Sequence, residues 1–211
     1  MTKDIVILGA GGLGREVREI LEEQDWNVLG WVCNDHPAGE IINGLPVLGY
    51  EEFLLGYKKD LNVVIALGTP QPRKKLFEFF SVNNKLIFPT IISNHAIVSK
   101  HLKIGRGCII AQGAIITADV TIGDFCLINL GATVAHDCVL KDFVSINPGV
   151  NVSGHVTIGE ASTLGSGSSV LQGISIGSCS TVGMSSSVIR DVPDNVTVYG
   201  IPAHMVAKPR E

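Results

Sequence analysis

His136 and Asp137 are neighbours in the sequence, and a histidine beside a carboxylate is what general base chemistry asks for. The carboxylate fixes which imidazole nitrogen carries the proton, leaves the other free to accept one, and raises its basicity. Gly154 follows eighteen residues later. A residue with no side chain exposes its backbone N–H, and an N–H aimed at a developing oxyanion is the second need of acyl transfer. Adjacent residues of a strand point to opposite faces, so a contact between His136 and Asp137 requires a corner. The other histidines offer less. His36, His95, His101 and His204 lie outside or at the edges of the repeat described below. His155 is nineteen residues from His136, one step off register, and reads as structural or incidental. A zinc centre built on three converging histidines finds only two here, so no metal is expected.

A second group of residues could hold a phosphate. Gly9-Ala10-Gly11-Gly12-Leu13-Gly14 follows an apolar run at 4–9 and precedes helical sequence at 15–24. In that strand-turn-helix setting the glycines admit a phosphate to the backbone, and the helix N-terminus favours its charge. A second strand over 27–33 ends at Asn34-Asp35, and a third over 62–67 ends at Gly68-Thr69, before a helix from about 72 to 82 and a short strand at 86–88. These strand ends predict ligand contacts from Gly11, Gly12, Leu13, Asn34, Asp35, Gly68 and Thr69. A nicotinamide dinucleotide is one reading and a purely structural glycine turn another. A single nucleotide fits better, because fewer than ninety residues supply only one of the two halves that a dinucleotide site uses.

The elements that position His136 follow from a repeat. Stepping by six from Ile92 to Val188 gives seventeen positions, and all are Ile, Leu or Val. Two places before many of them stand small or aliphatic residues, among them Cys108, Ala114, Cys126, Ala132 and Cys138. A helix would scatter every sixth residue around its surface. Short strands of a few residues joined by tight turns turn it inward each time, and three such sides close a triangular coil of eighteen residues. Stacked coils then pair their strands in parallel about 4.8 Å apart. The predicted fold is an α/β Rossmann-like half-domain over 1–88, followed by a parallel β-helix over 89–211.

Composition agrees with this division. Hydrophobic residues make up 45% of the 211 and charged residues 17%, with 24 glycines for turns and a net charge of −4. That charge excludes binding along a nucleic-acid backbone. No apolar run is long enough for a membrane span, and no secretory leader pattern opens the sequence, so a cytoplasmic enzyme is expected. Five cysteines without a CxxC pair read as free thiols.

The hexapeptide pattern, the glycine loop, Gly68-Thr69, Ala135-His136-Asp137-Cys138 and a terminal Gly200-Ile201-Pro202-Ala203 resemble one family across nearly the whole chain. It is the left-handed β-helix family of sialic-acid O-acetyltransferases and UDP-amino-sugar N-acetyltransferases, with the bacillosamine and perosamine enzymes. The resemblance implies a left-handed coil, acetyl-CoA as co-substrate, a nucleotide-activated amino sugar as acceptor, and a homotrimer with active sites between subunits. It implies His136 as general base assisted by Asp137, Asn129 on the sugar, and the Gly154 backbone on the acetyl group. Ser166 and Met184 would line the coenzyme A channel, and Ser145 stands where some members place a second acetyl-CoA-contacting histidine. A sugar O-acetyltransferase and a nicotinamide-dependent oxidoreductase remain the alternatives at this point.

Overall fold

A computed structural model describes residues 3–49 and 51–206. The front unit is a six-stranded sheet in the order β3-β4-β2-β1-β5-β6. Its strands are β1 (Lys3–Leu8), β2 (Trp26–Val32), β3 (Ile41–Ile42), β4 (Leu45–Gly49), β5 (Leu61–Ile65) and β6 (Leu86–Ile87). The helices are α1 (Gly12–Glu22), α2 (Glu51–Leu55) and α3 (Pro70–Phe80). Ile5 to Leu8 are all buried, as a parallel strand covered on both faces must be. α1 turns Gly14, Val17, Ile20 and Leu21 inward along one stripe. Gly14 is obligatory, because a Cβ there would stand 2.1 Å from the carbonyl oxygen of Gly9.

Each expected element of this unit forms, with ends shifted by a few residues. The β3–β4 hairpin and α2 were not anticipated. Asn43 and Gly44 both take positive φ (48° and 80°) and close a two-residue turn between Ile42 and Leu45, which pairs the strands antiparallel. That dipeptide suits such a turn because both positions tolerate the left-handed region.

From Ile91 the chain coils. Two-residue strands repeat on three faces, and partners lie eighteen residues apart: Ile109 with Leu127, Thr133 with Asn151, Thr121 with Val139. The first face starts at Ile91–Ile92, the second at Ile97–Val98 and the third at Lys103–Ile104. The hexad aliphatics form one continuous core with Cys108, Ala114, Val120, Cys126, Ala132 and Cys138. Ile92, Val98 and Ile104 are only partly buried, since no coil precedes them. All five cysteines are free thiols.

The front unit sits on the first face and on the corner between the third and first faces. Ile91, Ile109 and Leu127 point outward from the coils yet are buried in a shared core with Val17, Ile20 and Trp31. Burial of each such side chain contributes about 2 kcal/mol. α3 lies along the corner. Phe125 and Phe143 stack at 5.3 Å on successive coils, and Phe77 packs on Phe125 at 4.2 Å. Beside them Arg73 is 1% exposed, and among the described residues no carboxylate forms an ion pair with it. Its guanidinium donates to Phe125 O (2.8 Å), Leu67 O (2.5 Å), Phe143 O (2.9 Å) and Ser145 Oγ (2.9 Å), joining the two units. Desolvation lowers its pKa to about 10, which leaves it charged at neutral pH.

Candidate active site

His136 and Asp137 occupy the corner between the second and third faces. Corner residues stack coil on coil: Asp137 N donates to Ala118 O (3.1 Å), His155 N to His136 O (2.9 Å), and Gly173 N to Gly154 O (3.0 Å). Asp137 has φ of 60°. This left-handed turn defeats the strand alternation that would have separated the pair, and His136 Nδ1 lies 2.7 Å from Asp137 Oδ2. A carboxylate only accepts, so Nδ1 carries the hydrogen and Nε2 is left as the proton acceptor.

Gly154 stacks on His136 in the next coil. A Cβ at Gly154 would meet the imidazole at 2.6 Å from Cε1 and 2.8 Å from Nε2, so the ring occupies the space that any larger residue would fill. The corner ladder consumes the Gly154 carbonyl but gives its N–H no partner among the described residues. The imidazole therefore stands beside a residue whose backbone N–H is unspent among the described residues.

His155 is part of this corner. Its offset of nineteen from His136 is an offset of eighteen from Asp137, so it stacks on the acid rather than on the histidine. His155 Nε2 stands 3.5 Å from Asp137 Oδ2, and the two imidazoles meet edge to face at 5.1 Å. The signal was legible, had register been counted to the acid.

The remaining expected residues divide. Asn129, half-buried, ends a first-face strand one side before His136 and bonds Leu130 N through Oδ1 (2.7 Å). Ser166 and Met184 stack on the corner between the first and second faces, joined through Ser185 N to Ser166 O at 2.9 Å. Met184 is 73% exposed, as a residue lining an open channel would be. Ser145 is a correction. It is fully buried under the front unit, accepts from Arg73 and donates to Gly68 O at 2.7 Å, so its hydroxyl is not available to acetyl-CoA. It lies on the covered stretch of the first face, where the outward positions of the two preceding coils are Leu127 and Ile109.

The second constellation surrounds a cavity of about 360 Å³ at the carboxyl ends of β1, β2 and β5. Gly9, Asn34, Asp35, Leu67 and Lys75 line it. Gly11 caps the N-terminus of α1 and Thr69 that of α3, and neither helix has an acidic residue in its first turn. Gly9, two residues before the cap of α1, and Pro72 and Lys75 of α3, the last not anticipated, line this crevice where the strand order changes direction, the place where such sheets hold ligands. Gly12 and Gly68 leave open space where a Cβ would project. Leu13 packs its side chain into the core shared with the coils, leaving only its backbone to a ligand.

Comparison with known proteins gives the family. The PglD N-terminal domain family matches residues 4–80. No curated protein sequence matches the chain. Among solved structures, PerB of Caulobacter crescentus, in complex with CoA and GDP-perosamine, is 33% identical over 98% of this chain and 99% of its own, with a TM-score of 0.91. The acetyltransferase domain of PglB from Neisseria gonorrhoeae, in complex with acetyl coenzyme A, is 31% identical over 98% and 100%, with a TM-score of 0.90. WeeI of Acinetobacter baumannii is 28% identical over 97% and 100%, with a TM-score of 0.88. The chain belongs to the hexapeptide-repeat sugar N-acetyltransferases, acetyl-CoA-dependent enzymes with a Rossmann-like front unit and a left-handed parallel β-helix.

Proposed function

We propose that His136 is the general base of this acetyl transfer, and that the acceptor is the amine of a sugar whose nucleotide diphosphate lies in the front cavity. The observation that carries the reading is the imidazole of His136, bonded to Asp137, lying against Gly154, whose N–H has no partner among the described residues. His136 Nε2 takes the proton from the attacking amine, and Asp137 stabilises the imidazolium that forms. Gly154 N–H holds the thioester oxygen as it gains charge. The amide bond forms, the carbon–sulfur bond breaks, and the proton leaves with the coenzyme A thiolate. Asn129 holds the sugar, while Ser166 and Met184 border the pantetheine arm.

Nucleotide binding falls to the front unit, residues 1–88, and acetyl transfer to the coils, residues 89–211. Asp35 accepts from the ribose hydroxyls, and Lys75, Gly11, Gly12, Gly68 and Thr69 face the phosphates. Within one chain the cavity adjoins the first face while His136 lies at the opposite corner. One copy's cavity therefore serves another copy's histidine, in a homotrimer. Residues 161–189 carry no charge, which suits coil faces that pack together. No helix of the described residues is long and apolar enough to cross a membrane. We place the enzyme in the cytoplasm, where acetyl-CoA is made.

The test is thiol release from acetyl-CoA against UDP-, GDP- and dTDP-linked amino sugars, with free sialic acid as the hydroxyl control. Turnover with one nucleotide-linked amine, lost in His136→Ala, is the expected result. Turnover with sialic acid alone would overturn the proposed acceptor.

A further inference from the structure

Acetyl transfer leaves His155 without a task, yet its position is well defined. Asp137 and His155 take the same left-handed turn in consecutive coils (φ of 60° and 57°), which aims their side chains alike. Asp137 Oδ2 stands between two imidazoles, 2.7 Å from His136 Nδ1 and 3.5 Å from His155 Nε2. One donor atom from each of the three residues lies within 4.8 Å of the others. Among the described residues this is the one group of three such side chains. The pairs His36–Glu40 and His95–Glu23 each offer two donors.

Two imidazole nitrogens and a carboxylate oxygen are a donor set that zinc accepts, with a fourth position open to water. Ligands at about 2.0–2.1 Å from a tetrahedral ion stand roughly 3.4 Å from one another. His155 and Asp137 already have that spacing. His136 and Asp137 need to part by roughly 0.7 Å to reach it. All three side chains are about half exposed, at 51%, 44% and 54% for His136, Asp137 and His155, so such an adjustment disturbs no core.

We propose that His136, Asp137 and His155 form a binding site for Zn2+, an inhibitor rather than a cofactor of this enzyme. The ion takes Nδ1 of His136 in place of its hydrogen. The imidazole, still neutral, then carries that hydrogen on Nε2 and cannot accept the proton of the amine. The inhibitory half rests on the reading of His136 as the base; the binding half does not.

The experiment uses the full chain, stripped of metal by a chelator, in a Cys179→Ser background that removes the exposed thiol. Zn2+ is titrated calorimetrically without coenzyme A, whose own thiol binds zinc. Saturation at one ion per chain is expected, with affinity weakened about 100-fold in His155→Ala and in His155→Gln, at least the loss that follows removal of a ligand's supporting partner. Co2+ in place of zinc should give the visible absorption of a four-coordinate site. Acetyl transfer at buffered free zinc should be inhibited over the same concentration range and restored by EDTA. In the His155 variants, each measured against its own zinc-free rate, inhibition should shift by the factor seen in binding. No saturable binding, or affinity in both His155 variants equal to that of the chain that keeps His155, overturns the site. Saturable, His155-dependent binding without inhibition leaves the site standing and overturns His136 as the base.

Discussion

Gly154→Ala separates the position of the base from its identity. The substitution adds one methyl group where the imidazole of His136 lies, at 2.6 Å from Cε1, 2.8 Å from Nε2 and 3.1 Å from Nδ1. Carbon atoms make contact at about 3.5–4.0 Å, so the ring must retreat by roughly 1 Å. Its hydrogen bond to Asp137 spans 2.7 Å, and the retreat stretches or breaks it. A misplacement of about 1 Å in a catalytic group costs on the order of 100-fold in rate. The backbone N–H survives in alanine, so the proposed oxyanion donor is retained. Gly154 also lacks the positive φ that would strain an alanine. Steady-state thiol release should therefore show kcat down about 100-fold, with acetyl-CoA affinity by calorimetry and the melting temperature close to wild type. In a His136→Ala background the methyl meets nothing, and the same substitution should cost little more, since two changes acting through one group are not additive. Wild-type turnover in Gly154→Ala, or an equal further loss in the double variant, would refute the placement of the base.

Four other outcomes follow from the same geometry. His136→Ala should lose roughly 10² to 10⁴ in turnover with unchanged acetyl-CoA affinity, and Asp137→Asn should lose less, both read by initial rates and calorimetry. Arg73→Ala strands the carbonyls of Phe125 and Phe143 at the junction of the two units; it should cost about 3 kcal/mol, seen as a melting temperature lowered by about 10 °C. Light scattering should give a mass near three times the 22.4 kDa of one chain, and a stable monomer would remove the shared site. Co-expressed His136→Ala and Lys75→Glu chains, each inactive alone, should recover activity in mixed trimers, whereas a site held within one chain recovers none. That pair is a better test of the front cavity than deleting residues 1–85, which would uncover Ile91, Ile109 and Leu127.

What the sequence made legible is what its period carries. Six-residue spacing specifies the inward column, and eighteen specifies which residues stack, so the core from Ile110 to Val188 and the pairing of His136 with Gly154 followed from counting alone. The corner was less legible, because strand alternation argues against a His136–Asp137 contact and only the left-handed turn at Asp137 permits it. Such a turn carries only a weak signature when the residue is not glycine: Asp tolerates it, as at Asp137, but Phe125, Phe143 and Ala161 adopt it at another corner, held by packing against α3. Ser145 shows the opposite failure, a serine taken for a ligand contact. The outward residues of the two coils before it, Leu127 and Ile109, are apolar, which already marks this stretch of the first face as covered rather than open to coenzyme A. Lys75 depends on a tertiary fact, the meeting of three strand ends, whereas His155 depends on the register between coils, which the period already carries. Both belong to sites read by one residue type at a time. Counting eighteen from every polar corner residue, acids included, would have placed His155 beside Asp137 before any coordinates existed.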